Sequence, residues 1–233
     1  MVTVSALVPA AGLGVRLGGG VPKALRVLRG EPLIVHALRG LQACTELSRC
    51  VVAAPPGQTG RFEDLLGAAG LRLAWQVVAG EDSRQASVAR ALAALDSVSP
   101  DSGQPAGTDI VLVHDAARCL VPVDVIQRVV DAVRDGAEAV VPVVPVADTV
   151  KQVAGDTVVA TVDRAALRQA QTPQGFRHDV LTRSYAALSG PLATDDAGLA
   201  ERSGATVRVV DGHPHAFKIT GPLDLLLAEA LLR

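Results

Sequence analysis

Short apolar runs alternate with segments of helical spacing over the first 146 residues, and this alternation restricts the fold more than any other feature. Parallel strands need a crossover between them, usually a helix, so the pattern predicts a mainly parallel, twisted sheet with helices on both faces. The predicted strands are 3–8, 50–55, 71–78, 109–115 and 138–146. The predicted helices are 32–43, 61–69, 84–95 and 123–135. Ligands of such sheets bind beyond the carboxyl ends of the strands.

The pattern changes after residue 146, where two strand-like runs flank Gly155 and Asp156. Such a pattern predicts a β-hairpin, which we expect to form an arm over about 146–165. An isolated hairpin cannot bury its own apolar side chains, so we expect this arm to pack against a second copy of the chain. The elements predicted after it are helices 164–170, 177–188 and 195–203, strand 206–210 and helix 222–232.

The expected organisation is one domain over 1–233, because no stretch has the composition of a linker. The fold class is therefore α/β. We expect a single Rossmann-like, mainly parallel twisted sheet covered by helices on both faces, with a protruding β-hairpin arm for dimerisation.

Composition argues against several classes of function. Hydrophobic residues make up 49% and charged residues 20%, which is enough to fill a core. A net charge of −2 and 2% aromatic residues argue against nucleic-acid partners, which select basic surfaces and stacking side chains. No apolar run reaches the ~18 residues of a membrane span, and the three cysteines form no CxxC pair. We expect a soluble, cytoplasmic protein with no membrane partner.

A glycine-rich loop follows the first predicted strand, with five glycines in residues 10–20. Backbone N–H groups in such a loop can approach a phosphate closely, and Arg16 and Lys23 are placed to neutralise more negative charge. The loop is not a dinucleotide fingerprint, because Leu17 occupies the last glycine position counted from Gly12. It is not a P-loop either, because no Ser or Thr follows the lysine. We predict a phosphate-binding loop of another kind.

Lysine is rare in this chain, with three lysines among the 22 basic residues. In a chain so rich in arginine, a retained lysine can mark a place where a compact ammonium cannot be replaced by a planar guanidinium. Lys23 follows the glycine-rich loop and Lys218 precedes the last predicted helix. Lys151 lies in the predicted arm, and its role stays open.

Two further segments carry polar residues near predicted strand ends. Asp115, in the segment His-Asp-Ala-Ala-Arg, could orient a ribose or help hold a metal that phosphates bind. The alternative is a helix-capping aspartate paired with Arg118. The segment Gly-Glu-Asp-Ser-Arg that begins at Gly80 opens a helix, and taken alone it is an ordinary cap, with Asp82 or Ser83 at the N-cap.

Taken together and in order, these segments resemble the cytidylyltransferases that act on 2-C-methyl-D-erythritol 4-phosphate in isoprenoid precursor synthesis. The segments that carry the resemblance are VPAAGLGVRL with the later PK, GEDSRQASV, VHDAAR, PVADTVK, TVDR, QTPQGF, TDDA and FKIT. It spans about residues 4–232. The glycine-rich loop alone marks only the wider sugar-nucleotidyltransferase group. The later segments narrow it to this family and its pentitol-phosphate relatives.

The resemblance implies CTP and 2-C-methyl-D-erythritol 4-phosphate as substrates, with Mg²⁺ as a cofactor carried mainly by the CTP phosphates and Asp115 as a further candidate ligand. The implied catalytic residues are Arg16, Lys23, Lys218 and Asp115. The implied nucleotide-binding residues are Ala10, Ala11, Gly12, Gly14, Gly80, Asp82, Ser87 and Ala116. The implied acceptor-binding residues are Arg118, Thr149, Arg164, Thr172 and Thr194. Two of these, Thr149 and Arg164, lie on the arm, which in this family crosses into the partner of a homodimer and completes its acceptor site.

Two departures from the family pattern are visible, and neither removes a charged group. Cys119 follows the aspartate segment where the family usually has proline, and Glu81 replaces a frequent glycine beside the expected cytosine-reading residues. Three rival functions stay open at this point. They are a pentitol (ribitol) 5-phosphate cytidylyltransferase, a uridylyl- or guanylyltransferase, and a nucleotide sensor without catalysis.

The two lysines give a first testable prediction. Two anions must approach each other in such a reaction, so removing a cation should destabilise the transition state directly. We expect Lys23→Ala and Lys218→Ala each to lower kcat by ~10²-fold or more, the scale of a lost oxyanion-type donor. Pyrophosphate release at saturating CTP and acceptor measures the effect. Near-normal turnover in either variant would remove that lysine from the catalytic set.

Overall fold

The computed structural model describes residues 2–12, 14, 18, 20–97, 108–187 and 193–232. The strands are β1 (Val4–Pro9), β2 (Val27–Leu28), β3 (Glu31–Pro32), β4 (Leu47–Ala54), β5 (Ala74–Ala79), β6 (Ile110–Val113), β7 (Ala139–Pro145), β8 (Val150–Ala154), β9 (Thr157–Val162), β10 (Arg168–Ala170), β11 (Gln174–Arg177) and β12 (Val207–Asp211). The α-helices are α1 (Leu33–Gln42), α2 (Thr59–Ala68), α3 (Arg84–Asp96), α4 (Val123–Arg134), α5 (His178–Ala186), α6 (Asp196–Arg202) and α7 (Pro222–Leu231). Short 3₁₀ turns occur at Lys23–Leu25, Arg164–Ala166 and Pro214–Ala216.

One eight-stranded sheet organises the fold, with strand order β10-β7-β11-β6-β1-β4-β5 and β12 paired to β7. The pairs β6-β1, β1-β4, β4-β5 and β12-β7 are parallel. The strands β10 and β11 run antiparallel to their neighbours. The predicted mainly parallel sheet is therefore confirmed.

Helices cover both faces of this sheet because side chains alternate along each strand. In β1, Val4, Ala6 and Val8 are fully buried in a core that includes residues of α1, α2 and α4. Leu7, which points the other way, is fully buried in a second core with residues of α3, α5 and α6. Apolar side chains on both faces of one strand are typical of a sheet that is buried on both sides. Among the described residues, none of the helices combines the length and hydropathy that a membrane crossing requires.

The helix predicted over 164–170 is wrong. A 3₁₀ turn at Arg164–Ala166 is followed by β10, which pairs with the end of β7. The Asp163 carboxylate starts the turn by accepting a hydrogen bond from the backbone N–H of Ala165 at 3.0 Å. The stretch is too short for its helical propensity to outweigh pairing at the sheet, which supplies hydrogen bonds to its backbone.

The strand β11 was not predicted, and it lies between β6 and β7 in the middle of the sheet. It contributes Phe176, which is fully buried. Gly175 lies under α4, where an added Cβ would come within 2.5 Å of Val129 Cγ1 and 3.2 Å of Val133 Cγ2. A four-residue strand that contains glycine carries too little of the period-two pattern to be seen in the sequence.

The predicted hairpin is confirmed as β8 and β9, which form a separate two-stranded sheet joined at Gly155 and Asp156. Gly155 has a φ of 61°, a conformation that tight turns require and that glycine adopts without strain. The hairpin leaves three valines more than half exposed: Val153 at 58%, Val158 at 54% and Val159 at 55%. Its packing on a second copy stays a prediction.

Gly175 gives a test of the packing between the sheet and α4. We expect Gly175→Ala to lower the free energy of unfolding by about 1–3 kcal/mol, because the added methyl overpacks the core below α4. Thermal unfolding should show a midpoint lower by roughly 3–10 °C. The control is Gly67→Ala in α2, where an added Cβ meets no atom within 4 Å. That variant should unfold at the same temperature or higher, because alanine favours a helix. Equal stability of the two variants would contradict the tight packing at Gly175.

Candidate active site

A cleft of about 600 Å³ opens at the carboxyl ends of the parallel strands, where ligands of such sheets bind. Its walls are the segments that follow β1, β4, β5 and β6, together with the segment before α7. The lining residues with predicted roles are Ala10, Ala11, Gly12, Lys23, Asp82, Ser87, Asp115, Ala116 and Lys218. The fold therefore brings together residues that are far apart in sequence.

Close backbone packing fixes the loops after β1 and β5 against each other. The backbone N–H of Ala10 donates to Ala53 O at 2.8 Å, and that of Gly80 donates to Ala54 O at 2.7 Å. An added Cβ at Gly80 would lie 2.9 Å from both Ala11 Cβ and Ser87 Oγ. Gly80 is thus needed for the close approach of these two loops, which form one side of the cleft.

Lys23 is held beside the glycine-rich loop by its own backbone. Its N–H donates to Gly12 O at 3.0 Å. Gly14 has a φ of 65°, and a Cβ there would lie 2.9 Å from Lys23 Cβ. The loop and the lysine therefore pack against each other directly. Arg16 lies outside the described residues.

The segment before α3 is held by two serines. Ser83 is the N-cap, and its Oγ accepts a hydrogen bond from Ala86 N at 3.0 Å, which decides between the two predicted caps. Ser87 Oγ accepts from Glu81 N at 3.0 Å and lies 2.9 Å from Ser83 O. Asp82 is exposed in the cleft wall and is free of the capping role.

Asp115 is the centre of an ionic cluster at the floor of the cleft. Its Oδ1 lies 3.0 Å from Arg84 Nε, and its Oδ2 lies 2.8 Å from Lys218 Nζ and 3.8 Å from Arg118 Nε. Burial alone would raise the pKa of Asp115. The charges of Arg84, Lys218 and Arg118 outweigh burial and hold this pKa well below its ordinary value. The carboxylate is therefore ionised at neutral pH, and such a low pKa makes it a weak base.

Arg84 connects this cluster to a second buried carboxylate. Its Nη1 lies 2.7 Å from Asp196 Oδ2, and the other oxygen of Asp196 accepts a hydrogen bond from Tyr185 at 2.6 Å. Burial would lower the pKa of Arg84, but Asp196 and Asp115 raise it above its ordinary value. The guanidinium is thus a permanent cation between two carboxylates.

A smaller pocket of about 230 Å³ adjoins the cleft across this cluster. It shares Arg84, Asp115 and Lys218 with the cleft. Its further lining residues with predicted roles are Arg118, Thr172 and Thr194. The cluster therefore lies at the boundary between two adjoining spaces.

Arg118 and Thr172 are both fixed by neighbouring groups. Arg118 donates from Nη1 to Ala216 O at 2.8 Å and from Nη2 to Ala170 O at 3.1 Å. Thr172 Oγ1 accepts from the backbone N–H of Asp115 at 3.0 Å and lies 3.0 Å from His114 Nδ1. Thr172 is 4% exposed, so its hydroxyl supports Asp115 from below as well as lining the pocket.

Thr149 and Arg164 are not brought to this site within the chain. Thr149 is exposed at the base of the hairpin, and Arg164 is exposed in the 3₁₀ turn that follows it, where it donates to Ala147 O. Neither residue lines the cleft or the adjoining pocket. Their predicted role depends on a partner subunit.

Sequence reasoning missed Arg84, Asp196 and Gln174 as parts of the site. Gln174 donates from Nε2 to Asp195 Oδ2 at 2.7 Å and accepts from Ala197 N at 2.9 Å, so it holds the start of α6 in place. Arg84 stands in the first turn of a helix beside the cleft, a signal that could have been used. The pairing of Arg84 with Asp115 and Asp196 joins distant segments, and no local pattern in the sequence indicates it.

A comparison with protein families decides the assignment. The family model described as IspD, 2-C-methyl-D-erythritol 4-phosphate cytidylyltransferase, matches residues 4–233. The chain belongs to the IspD family.

Individual IspD relatives agree with this assignment. The chain is 54% identical to the 2-C-methyl-D-erythritol 4-phosphate cytidylyltransferase of Saccharopolyspora erythraea, over 99% of both chains. It is 52% identical to the enzyme of the same name from Streptomyces avermitilis, over 98% of this chain and 91% of the relative. The crystal structure of the Thermus thermophilus enzyme of that name superposes with a TM-score of 0.76 at 38% identity, over 98% of both chains.

His114, beneath Asp115, makes stability depend on pH. It is fully buried, and this burial lowers its pKa from 6.5 to about 4. Between pH 6.5 and about 4, His114 is therefore protonated in the unfolded chain and neutral in the folded chain. The free energy of unfolding is therefore highest above pH 6.5. It falls as the pH drops toward about 4, the pKa of His114 in the folded chain, by about 3 kcal/mol in total.

Urea denaturation at pH 7 and at pH 4.5 tests this dependence. We expect His114→Asn to lose less stability between the two pH values than the unaltered chain, because asparagine does not titrate. Its amide can also replace Nδ1 in the contact with Thr172. Parallel loss of stability in both proteins would show that another group titrates in this range.

Proposed function

We propose that this chain transfers the cytidylyl group of CTP to 2-C-methyl-D-erythritol 4-phosphate, giving 4-diphosphocytidyl-2-C-methyl-D-erythritol and pyrophosphate. Membership of the IspD family supports the reaction. The observation that carries the assignment to this site is the cluster of Asp115, Lys218 and Arg84 between the two spaces. It places positive charge where two phosphate-bearing substrates would meet.

The cleft is the proposed CTP site. Small residues at Ala10, Ala11, Gly12 and Gly14 let the backbone approach the triphosphate, and Lys23 beside them adds a cation. The loop after β5 is the proposed cytosine site, with Gly80, Asp82 and Ser87. Ala116 is proposed to contact the nucleotide as well, because it lines the same cleft. The proposed position of Arg16, near the phosphates, rests on the family resemblance alone.

The adjoining pocket is the proposed acceptor site. Arg118, Thr172 and Thr194 line it, and the acceptor's phosphate would lie near Lys218 at the boundary with the cleft. Thr149 and Arg164 of a second copy are proposed to complete it. The three exposed valines of the hairpin support this proposal, because their burial in a homodimer would be favourable. The proposed setting is the cytoplasm.

The chemistry needs no protein nucleophile and no general base. An oxygen of the acceptor's 4-phosphate attacks the α-phosphorus of CTP and forms a new P–O bond. The bond from that phosphorus to the oxygen that bridges to the β-phosphate breaks, and pyrophosphate leaves with the electron pair. The attacking oxygen is already anionic. Catalysis is therefore alignment of the two substrates and stabilisation of negative charge by Lys23 and Lys218.

The site fits a magnesium ion that the substrate carries. Among the described residues, no three His, Cys, Asp or Glu side chains cluster closely enough to hold a metal ion by themselves. Asp115 accepts from Arg84 and Lys218, and a carboxylate retains further lone pairs for one ligand position. Mg²⁺ in proteins commonly takes one or two carboxylates together with substrate phosphates. When bound, Mg²⁺ would neutralise charge on the triphosphate and favour the departure of pyrophosphate.

Substrate choice is the direct test. Pyrophosphate release should be measured with Mg²⁺ while the four nucleoside triphosphates are crossed with 2-C-methyl-D-erythritol 4-phosphate and ribitol 5-phosphate. We expect release only with CTP and the methylerythritol acceptor, and loss of release when EDTA removes the metal. Release with ribitol 5-phosphate would keep the nucleotide site and replace the acceptor. Silence from a folded protein in every combination would overturn the proposed function.

A further inference from the structure

We infer that Arg84 is a positioning residue for the transfer reaction, acting on Lys218 through Asp115. This inference rests on the proposed function. Arg84 is 28% exposed and lies at the first position of α3, immediately after the loop proposed to read cytosine. It forms ion pairs with two carboxylates from different segments, Asp115 after β6 and Asp196 at the start of α6.

The first part of the argument is geometric. Arg84 Nε holds Oδ1 of Asp115 at 3.0 Å, which leaves Oδ2 to hold Lys218 Nζ at 2.8 Å. With one oxygen occupied by a rigid guanidinium, the carboxylate cannot rotate to present both oxygens to the lysine. Lys218 has a flexible side chain that is 39% exposed, and within the described part of the chain the contact with Asp115 is the ion pair that fixes its ammonium.

The second part concerns the anchoring of Arg84 itself. Asp196 has a side chain that is 1% exposed and lies 2.7 Å from Arg84 Nη1. Tyr185 holds its other oxygen at 2.6 Å, so the carboxylate is fixed from the protein interior. A guanidinium that contacts two carboxylates through different nitrogens has one orientation, whereas the ammonium of a lysine is a single point charge without that fixed, planar set of donors.

The third part is the balance of charge. Arg84, Lys218 and Arg118 carry three positive charges against the two negative charges of Asp115 and Asp196. Without Arg84 the cluster would be neutral, and Asp115 would be available to pair with Lys218 through both oxygens. Less of the lysine's charge would then act on the transferring phosphate. Arg84 thus keeps Lys218 both in place and electrostatically effective.

Arg84→Lys tests this role, because it keeps the positive charge and removes the planar guanidinium that orients both carboxylates. We expect kcat to fall by 10- to 100-fold while KM for CTP changes less than about threefold, because displacement of a reacting cation by about 1 Å has effects of this size. The matched control is Arg183→Lys on α5, which alters an arginine paired with Asp179 at 2.5 Å on the exposed side of a helix. It should keep kcat within about twofold.

A double-mutant cycle separates positioning from a merely structural effect. If Arg84 acts through Lys218, then Arg84→Lys combined with Lys218→Ala should be no slower than Lys218→Ala alone. Independent effects would multiply. Multiplied losses of kcat, or normal kcat in a folded Arg84→Lys variant, would overturn the inference while leaving the proposed function intact. Inactivity of the unaltered chain would instead count against the proposed function.

Asp196→Asn keeps the test decisive if Arg84→Lys does not fold. This variant keeps the size of the side chain and a partner for Tyr185, and it weakens one anchor of Arg84. We expect kcat to fall by about tenfold, again without further loss when it is combined with Lys218→Ala. Normal kcat in the folded Asp196→Asn variant, or a loss that multiplies with that of Lys218→Ala, would overturn the inference.

Discussion

The burial of Asp115 is the constraint on which the rest of the site depends. A carboxylate that is 7% exposed would be strongly destabilised without compensation, and three cations supply that compensation. Arg84 comes from α3, Arg118 from the same loop as Asp115, and Lys218 from the segment before α7. The fold cannot bring this carboxylate to the end of β6 without also bringing these segments together. The ion pairs that stabilise the buried carboxylate are therefore the same ones that position the side chains of the site.

The same cluster concentrates positive charge within a weakly acidic protein whose proposed reaction brings two anions together. The chain as a whole has a net charge of −2, so long-range attraction does not concentrate phosphates. Positive charge is instead concentrated locally, at the boundary between the cleft and the adjoining pocket. Lys23 adds to it from the glycine-rich loop. Because both spaces share Arg84, Asp115 and Lys218, the charge would act on both of the proposed ligands at once. For attracting phosphates at this site, the local arrangement of cations thus matters more than the net charge of the chain.

The sequence predicted the parallel part of the sheet well and its antiparallel part poorly. Long apolar runs such as β4 and β7 are recognisable because both of their faces are buried. The strands β10 and β11 are three and four residues long, and their pairing is set by β6 and β7. Short segments carry no period of their own. The segment that contains β11 was recognised only as a polar motif. The need for glycine at position 175 arises from close packing against α4, which the local sequence does not show.

The sequence by itself determined the alternation of strands and helices, the hairpin of β8 and β9, the glycine-rich loop and the two lysines that line the cleft. Each of these features depends on the residue types of one short segment, so hydrophobic periodicity, turn residues and composition are enough to predict it. Only the tertiary structure decided that Arg84 joins Asp115 to Asp196 and that Thr172 supports Asp115 from below. Only it left Thr149 and Arg164 outside the site of their own chain. The contacts of Arg84 and Thr172 join residues about 30 to 110 positions apart. No periodicity or propensity encodes which distant side chain a buried carboxylate will contact.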